Sequence, residues 1–264
     1  MDAILDTARQ AATLAGQCLL SMQGKAAVRH KGASHNLVTE ADLASEQIIT
    51  DLIRSRFPNH KLLLEEGPST GDSTAEHLWI VDPLDATNNF AHNIPHFSVS
   101  IAYAHQGVVQ AGVVLDPTRN ELFHAVRGQG ACLNDRPIHA SPANQLEDCI
   151  IGTGFYYDRG TMMKRTLDSI HALFTRNVQG IRRMGSAAID IAWVACGRFD
   201  GFFEYHLEPW DYAAGMLLVA EAGGRCSDRS GNPLAIHSRN VIVSNGQIHP
   251  QLVDTVVWKE SAEP

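Results

Sequence analysis

The segment Asp82-Pro83-Leu84-Asp85-Ala86-Thr87 follows the apolar run Leu78–Val81, and it decides how the rest of the chain is interpreted. The apolar run predicts a buried strand that ends beside Asp82, where sheet proteins place ligand-binding residues. Pro83 removes an amide donor and restricts the backbone. A tight turn would bring the carboxylates of Asp82 and Asp85 and the carbonyl of Leu84 to one point. These oxygen atoms suit Mg²⁺ or Mn²⁺ and suit Zn²⁺ poorly, so the segment predicts a magnesium-type site.

A helix start is expected directly after this segment, at Ala86-Thr87-Asn88. The first turn of a helix has free backbone N–H groups, and such groups bind phosphate. Ala86 and Thr87 are therefore predicted to contact a phosphate group beside the metal.

The pattern of apolar residues indicates helices and short strands throughout the chain. Two helices come first, at Asp2–Gln23 and from Thr39 to Pro58, and Thr39-Glu40-Ala41-Asp42 resembles a capping box. Short apolar runs then predict an antiparallel meander, at Lys61–Leu64, Leu78–Val81, Ser98–Ala104, Val108–Leu115 and Glu121–Val126. The second half alternates strands with helix pairs. The predicted fold class is α+β, a layered α-β-α-β-α sandwich with mixed and largely antiparallel sheets.

The length of 264 residues allows two packed halves. We expect an N-terminal α+β half, residues 1–145, with most of the metal ligands. The C-terminal α/β half, residues 146–264, would contribute Asp211 and the residues that contact substrate. No linker-like segment separates the two halves.

Composition excludes several classes of protein. With 44% hydrophobic residues the chain is neither disordered nor fibrous, and 21 basic against 29 acidic residues give a net charge of −8, so direct binding of nucleic acid is not expected. Five scattered cysteines fit a reducing cytoplasm. The start MDAILDTARQ lacks the features of a signal peptide, and no apolar run is long enough to span a membrane. We therefore predict a cytoplasmic protein.

Three further segments place carboxylates at expected element ends: Thr39–Asp42, Leu64–Gly67 and Pro209–Gly215. Each segment alone also fits a helix cap or a solvated surface. Their order along the chain resembles the inositol monophosphatase family, whose signature is Asp-Pro-Leu/Ile-Asp-Gly-Thr followed far downstream by Trp-Asp-x-Ala-Ala/Gly-Gly. Here the two motifs are Asp82–Thr87 and Trp210-Asp211-Tyr212-Ala213-Ala214-Gly215. The resemblance covers essentially the whole chain and implies a metal-dependent, lithium-sensitive phosphatase.

The resemblance also implies the ligands of the metal ions. Glu65, Asp82 and the Leu84 carbonyl would hold one Mg²⁺, and Asp82, Asp85 and Asp211 a second, so that Asp82 bridges the pair. A third, weaker ion would use Glu65 and water. The register leaves Glu66 open as an alternative to Glu65.

The implied reaction is attack of water on a phosphate monoester without a phosphoenzyme. Thr87, held by Asp42, would orient and help to deprotonate the water, and the final proton acceptor is either the Asp42–Thr87 pair or Glu65. In the family, residues matching Asp85, Asp211, Gly185, Ser186, Ala187 and Glu204 surround the substrate. Glu204 precedes Asp211 by seven positions, the family spacing, and its carboxylate suits the hydroxyl groups of a polyol.

The expected substrate is a small phosphate ester, myo-inositol monophosphate. Histidinol phosphate, fructose-1,6-bisphosphate, a 3′-phosphonucleotide and NADP are alternatives with the same metal motifs. A different class of function also stays open, because some bacterial relatives act as protein-binding factors in transcription complexes. The resemblance further implies a homodimer.

Two departures from the family pattern concern the site. Ala86 stands in place of the motif glycine, which costs about 1 kcal/mol if the position requires positive φ. Leu64 stands where glycine often precedes the first glutamate. Neither departure removes a metal ligand.

Overall fold

The computed structural model describes residues 1–25, 28–30, 37–156 and 159–256. Seven α-helices occur in these residues: α1 Asp2–Met22, α2 Glu40–Arg56, α3 Thr87–Ala91, α4 Thr161–Thr175, α5 Ala187–Ala195, α6 Pro209–Glu221 and α7 His249–Val256. A 3₁₀ turn lies at Leu146–Asp148. None of the described helices combines the length and the apolar character that crossing a bilayer requires.

Fourteen strands form three sheets in the described residues. The large sheet has the order β3-β4-β5-β6-β7-β8-β9, with strands β3 Lys61–Leu64, β4 His77–Asp85, β5 Ser98–His105, β6 Val108–Asp116, β7 Glu121–Val126, β8 Ala131–Leu133 and β9 Arg136–Ile138. The small sheet has the order β11-β10-β12-β14-β13, with strands β10 Ile150–Thr153, β11 Gly180–Arg182, β12 Gly201–Tyr205, β13 Arg225–Ser227 and β14 Asn240–Ser244. Strands β1 Val28–His30 and β2 Leu37–Thr39 form an antiparallel pair. In the large sheet only the pair β3/β4 is parallel, which confirms the predicted mixed, largely antiparallel character.

The layers follow from the alternation of side chains along the strands. On β4, Leu78 and Ile80 pack toward α5 and α6, whereas Trp79 and Val81 pack toward α1 and α2. On β12 of the small sheet, Phe202 packs in the core with α5 and α6, and Phe203 packs on the other face with α4 and α7. The order is therefore α1/α2, large sheet, α5/α6, small sheet, α4/α7, which confirms the predicted α-β-α-β-α sandwich.

The start of α2 has the predicted capping box. Thr39 is the N-cap, and its hydroxyl accepts a hydrogen bond from the Ala41 backbone N–H at 3.1 Å. Asp42 accepts the Thr39 backbone N–H through Oδ2 at 2.7 Å. Capping fixes the Asp42 side chain at the end of the helix that approaches β4.

One prediction about β4 was wrong. The apolar run was expected to end the strand at Val81, with Asp82 and Pro83 in a turn, but the strand continues through Asp85. Asp82 pairs with Ser100 and Asp85 with Ser98, so β4 contains one residue more than β5 across this interval. The extra residue is a β-bulge, which bends the strand without ending it.

Ala86 requires an unusual backbone conformation. Its φ is 73° and its ψ is 49°, the left-handed region that glycine adopts without a steric penalty. The departure from the family pattern at this position therefore costs conformational energy in this protein.

We predict that Ala86→Gly raises the free energy of unfolding by about 0.5–1 kcal/mol, because it removes the Cβ clash and the greater flexibility of unfolded glycine offsets only part of the gain. Urea denaturation in the presence of a chelator measures this effect. Ala172→Gly in the last turn of α4 is the control and should lower the free energy of unfolding, by less than about 1 kcal/mol. A loss of stability in both variants would contradict the interpretation.

Candidate active site

A cavity of about 350 Å³ lies where the bulge of β4, the start of α6 and the end of β12 meet. Residues from both the large sheet and the small sheet line it. The cavity is acidic, since seven acidic residues line it: Glu65, Asp82, Asp85, Asp190, Glu204, Glu208 and Asp211.

The bulge explains why two acidic residues of β4 share this cavity. Residues three positions apart on a regular strand face opposite sides of the sheet, and one additional residue returns the second side chain to the first side. Asp82 is 1% exposed and Asp85 9% exposed, and both line the cavity. The Leu84 backbone N–H donates to Asp82 Oδ1 at 3.0 Å, which closes a tight loop within the bulge.

Asp85 is held by two donors from the start of α5. The Ser186 hydroxyl donates to Asp85 Oδ2 at 2.6 Å, and the Ala188 backbone N–H donates to the same oxygen at 2.8 Å. Burial raises the pKa of Asp85 to about 6, although these two hydrogen bonds act to lower it. Ser186 is itself fully buried and is not among the residues that line the cavity, and its predicted contact with substrate stays a prediction.

Asp211 enters the cavity from the first turn of α6. Its Oδ2 accepts the Glu208 backbone N–H at 2.7 Å in a second capping box. Burial raises the pKa of Asp211 well above its ordinary value, and the charges of Asp85, Glu65 and Glu204 raise it further.

Asp82 lies within the electrostatic reach of the other acidic groups. Burial raises its pKa well above the ordinary range. The charges of Glu65, Asp85 and Asp211 and a hydrogen bond with Glu65 raise the pKa further. Carboxylates this close are stable only when protons or cations reduce their mutual repulsion. The set contains only oxygen donors, which fits Mg²⁺ or Mn²⁺.

Glu65 and Glu66 differ in position, although the sequence left the choice between them open. Glu65 follows β3, its backbone N–H donates to the Val81 carbonyl at 3.3 Å, and it lines the cavity. The Glu66 backbone N–H donates to Glu46 Oε2 at 3.0 Å, and Glu66 is not part of the lining. The parallel pairing of β3 with β4 thus brings Glu65 to Asp82.

Thr87 connects α2 to the bulge. Its hydroxyl oxygen lies 3.0 Å from Asp42 Oδ1 and 3.2 Å from the Leu84 carbonyl oxygen. Asp42 is fully buried, and its Oδ2 already accepts the hydroxyl of Thr39 at 2.6 Å. Because Oδ2 is occupied by the helix cap, Oδ1 is the oxygen available to Thr87.

The lining of the cavity also contains Glu204, Gly185 and Ala187. Glu204 is 9% exposed, and burial raises its pKa to about 8, while the charge of Arg183 opposes that shift. A Cβ atom on Gly154 would lie 1.9 Å from Glu204 Oε2, so only glycine leaves room for this carboxylate.

Sequence reasoning missed two charged residues of this lining. Arg183 is exposed at the cavity lining, and its guanidinium would lie 3.1 Å from a Cβ atom on Gly185. Asp190, on α5, is 1% exposed and lies 3.2 Å from His96 Nε2. Arg183 could have been found from the sequence, because it precedes Gly185 of the Gly185–Ala188 segment by only two positions. The contact of Asp190 with His96 could not, because it joins segments that are distant along the chain.

Comparison with known proteins gives the same identification as the motifs. The family model for the inositol monophosphatase family matches residues 1–261. An inositol-1-monophosphatase of Synechocystis sp. is 43% identical over 252 residues, which cover 94% of this chain and 86% of that protein. The Nus factor SuhB of Pseudomonas aeruginosa is 40% identical over 265 residues, covering 97% of this chain and 96% of that protein.

Solved structures show the same fold. The extragenic suppressor protein suhB from Bartonella henselae superposes with a TM-score of 0.91 at 39% identity, covering 99% of this chain and 100% of that chain. An IMPase/NADP phosphatase complexed with Mg²⁺ and phosphate has a TM-score of 0.84 at 25% identity, covering 94% and 92%. The chain belongs to the inositol monophosphatase family, a family of metal-dependent phosphatases.

Proposed function

We propose that the protein is a Mg²⁺-dependent phosphomonoesterase that hydrolyses myo-inositol monophosphate to inositol and phosphate, with water as the nucleophile. The observation that carries the proposal is the meeting of Glu65, Asp82, Asp85 and Asp211 in one buried cavity beside the Thr87–Asp42 hydrogen bond. Family membership supports the phosphatase chemistry.

The acidic residues would hold two or three divalent cations. Glu65, Asp82 and the Leu84 carbonyl would bind one ion, Asp82, Asp85 and Asp211 a second, and Glu65 with water a third. A cation bound there neutralises phosphate oxygens and makes water acidic enough to attack near neutral pH. The hydrogen bonds to Asp85 and Asp211 pre-orient these two carboxylates.

The side chains around Thr87 would direct the nucleophile. When Thr87 donates its proton to Asp42, its oxygen is left to accept a hydrogen bond from the attacking water. The proton of that water would then pass either to the Asp42–Thr87 pair or to Glu65, which also lines the cavity. Backbone N–H groups of Ala86 and Thr87 would bind the phosphate.

Glu204 would select the alcohol part of the substrate. It lines the cavity together with Gly185 and Ala187. A substrate that leaves the buried Glu204 side chain without a hydrogen bond loses binding free energy. A polyol that hydrogen-bonds to Glu204 is therefore favoured. Histidinol phosphate, fructose-1,6-bisphosphate, 3′-phosphonucleotides and NADP are the alternative esters.

A second candidate function is protein binding in a transcription complex, because the Pseudomonas aeruginosa relative is named a Nus factor. A homodimer in the cytoplasm is part of both proposals and rests on family membership. Capture of transcription proteins by an Asp82→Asn variant as efficiently as by the wild type would support a surface function independent of catalysis.

We predict Mg²⁺-dependent phosphate release from a panel of the five candidate esters, led by inositol 1-phosphate, because Glu204 suits a polyol. Asp82→Asn should lower kcat by at least about 10³-fold, since it removes the carboxylate shared between the metal ions. The matched control Asp168→Asn, on the exposed surface of α4, should leave activity unchanged. Faster hydrolysis of one of the other esters would contradict the assignment of inositol 1-phosphate as substrate. Turnover that does not depend on Mg²⁺ would contradict the proposed mechanism.

We predict that Thr87→Val lowers kcat by about 10²–10⁴-fold with a smaller change in KM, because the hydroxyl acts on the water more than on the bound substrate. Thr87→Ser keeps the hydroxyl and should retain most of the activity. Equal losses in both variants, measured by steady-state phosphate release, would assign Thr87 a packing role instead.

We predict that Glu204→Ala lowers kcat/KM for inositol 1-phosphate by about 10–100-fold, the effect of losing a buried hydrogen-bond partner of the substrate hydroxyl groups. Hydrolysis of p-nitrophenyl phosphate, which has no polyol, serves as the internal control and should change by less than about threefold. A parallel loss with both substrates would show that Glu204 supports the metal ligands rather than substrate selection.

A further inference from the structure

A cluster of histidine and aromatic side chains lies at the end of β4 that is remote from the active site. His77 begins β4 and is the direct cross-strand partner of His105, which ends β5. Side chains of directly paired residues lie on the same face of the sheet, with Cβ atoms about 5 Å apart. Glu76 precedes the strand, and its carbonyl accepts the Gln106 backbone N–H at 2.9 Å, so the turn after β5 fixes its backbone.

Three potential ligand atoms face one another in this cluster. His77 Nε2 and His105 Nε2 each lie 4.0 Å from Glu76 Oε1, and all three residues offer ligand atoms within 4.8 Å of one another. Ligands of a tetrahedral zinc ion lie about 3.3–3.4 Å apart, given bond lengths of about 2.0–2.1 Å. The Glu76 side chain is 70% exposed and the two histidine side chains are about 40% exposed, so all three can adjust toward a bound ion.

The neighbouring rings orient His77 as a ligand. Its Nδ1 lies 2.7 Å from the Tyr103 hydroxyl, so Nδ1 is hydrogen-bonded while Nε2 faces Glu76. The ring of His60 stacks on His77 with centroids 4.5 Å apart, and His60 Nδ1 accepts the Trp79 indole N–H at 3.1 Å. A hydrogen bond on the second ring nitrogen is the usual support of a metal-binding histidine.

We propose that Glu76, His77 and His105 form a second metal site, on the surface, which binds a borderline transition-metal ion such as Zn²⁺. Two imidazole nitrogens and one carboxylate are the donor set of such an ion and leave a fourth position for water. This chemistry differs from that of the all-oxygen active site. Asp82, the shared ligand of the active site, is five residue steps along β4 from His77, so roughly 17 Å separates the two sites.

The test uses the full-length protein, stripped of metal and then saturated with Mg²⁺, and titrates it with Zn²⁺ alone against a chromophoric chelator. We expect one Zn²⁺ per chain in the wild type and a loss of affinity of at least about tenfold in His77→Gln and in His105→Gln. Glu76→Gln, at an exposed position, should weaken binding without a risk to folding. Tyr103→Phe should weaken binding about tenfold through the orientation of His77.

Two controls separate this site from other sources of binding. The same titration in an Asp82→Asn background should give the same affinity, because that substitution disturbs only the carboxylate site. His171→Gln removes an exposed histidine on α4 and should have no effect. Unchanged Zn²⁺ binding in the double variant His77→Gln/His105→Gln, or an equal loss in His171→Gln, would overturn the proposal.

A thermal measurement provides an independent readout. Zn²⁺ that binds only the folded protein raises Tm, so the wild type should gain stability with Zn²⁺ in excess Mg²⁺. The double variant loses the contacts of His77 with Tyr103 and His60, so its own Tm without Zn²⁺ is the reference, and Zn²⁺ should not raise it. An equal increase of Tm with Zn²⁺ in the wild type and the double variant would contradict the proposed metal site.

Discussion

Repulsion among the clustered carboxylates of Glu65, Asp82, Asp85 and Asp211 is the constraint on which the rest of the site depends. Burial and mutual charge both raise the pKa of Asp82 and of Asp211 well above the ordinary range. A fold that collects these groups gives up stability unless cations offset their charge. The β-bulge and the left-handed backbone of Ala86 also reduce stability locally, and both bend the chain around this cavity.

Helix capping and function use the same side chains in this fold. Asp42 and Asp211 both occupy the third helical position of a capping box, where one carboxylate oxygen accepts a backbone N–H. The second oxygen of Asp42 lies 3.0 Å from the Thr87 hydroxyl. The side chains that cap the beginnings of α2 and α6 are therefore also held in one orientation, which explains how these two helices position the site.

Much of this arrangement could be predicted from the sequence, because motif order and apolar periodicity are local signals. The layered fold, the capping box at Thr39 and the strand Lys61–Leu64 are confirmed. The bulge at Asp82–Asp85 was missed, since proline in a strand pattern normally predicts a turn. The burial of Ser186 against Asp85, and the pairing of His77 with His105, depend on contacts between distant segments. The boundary between residues 145 and 146 and the roles of the site residues stay predictions.

The central claim is that the buried carboxylates collect divalent cations, with Asp82 shared between them. Titration of metal-stripped protein with Mn²⁺ in the presence of phosphate, followed by the electron paramagnetic resonance of free Mn²⁺, tests this claim most directly. His77→Gln/His105→Gln protein is used so that only the carboxylate site is counted. The account predicts at least two bound Mn²⁺ per chain and a clear loss of bound Mn²⁺ in the added Asp82→Asn variant. A stoichiometry that Asp82→Asn leaves unchanged would contradict it.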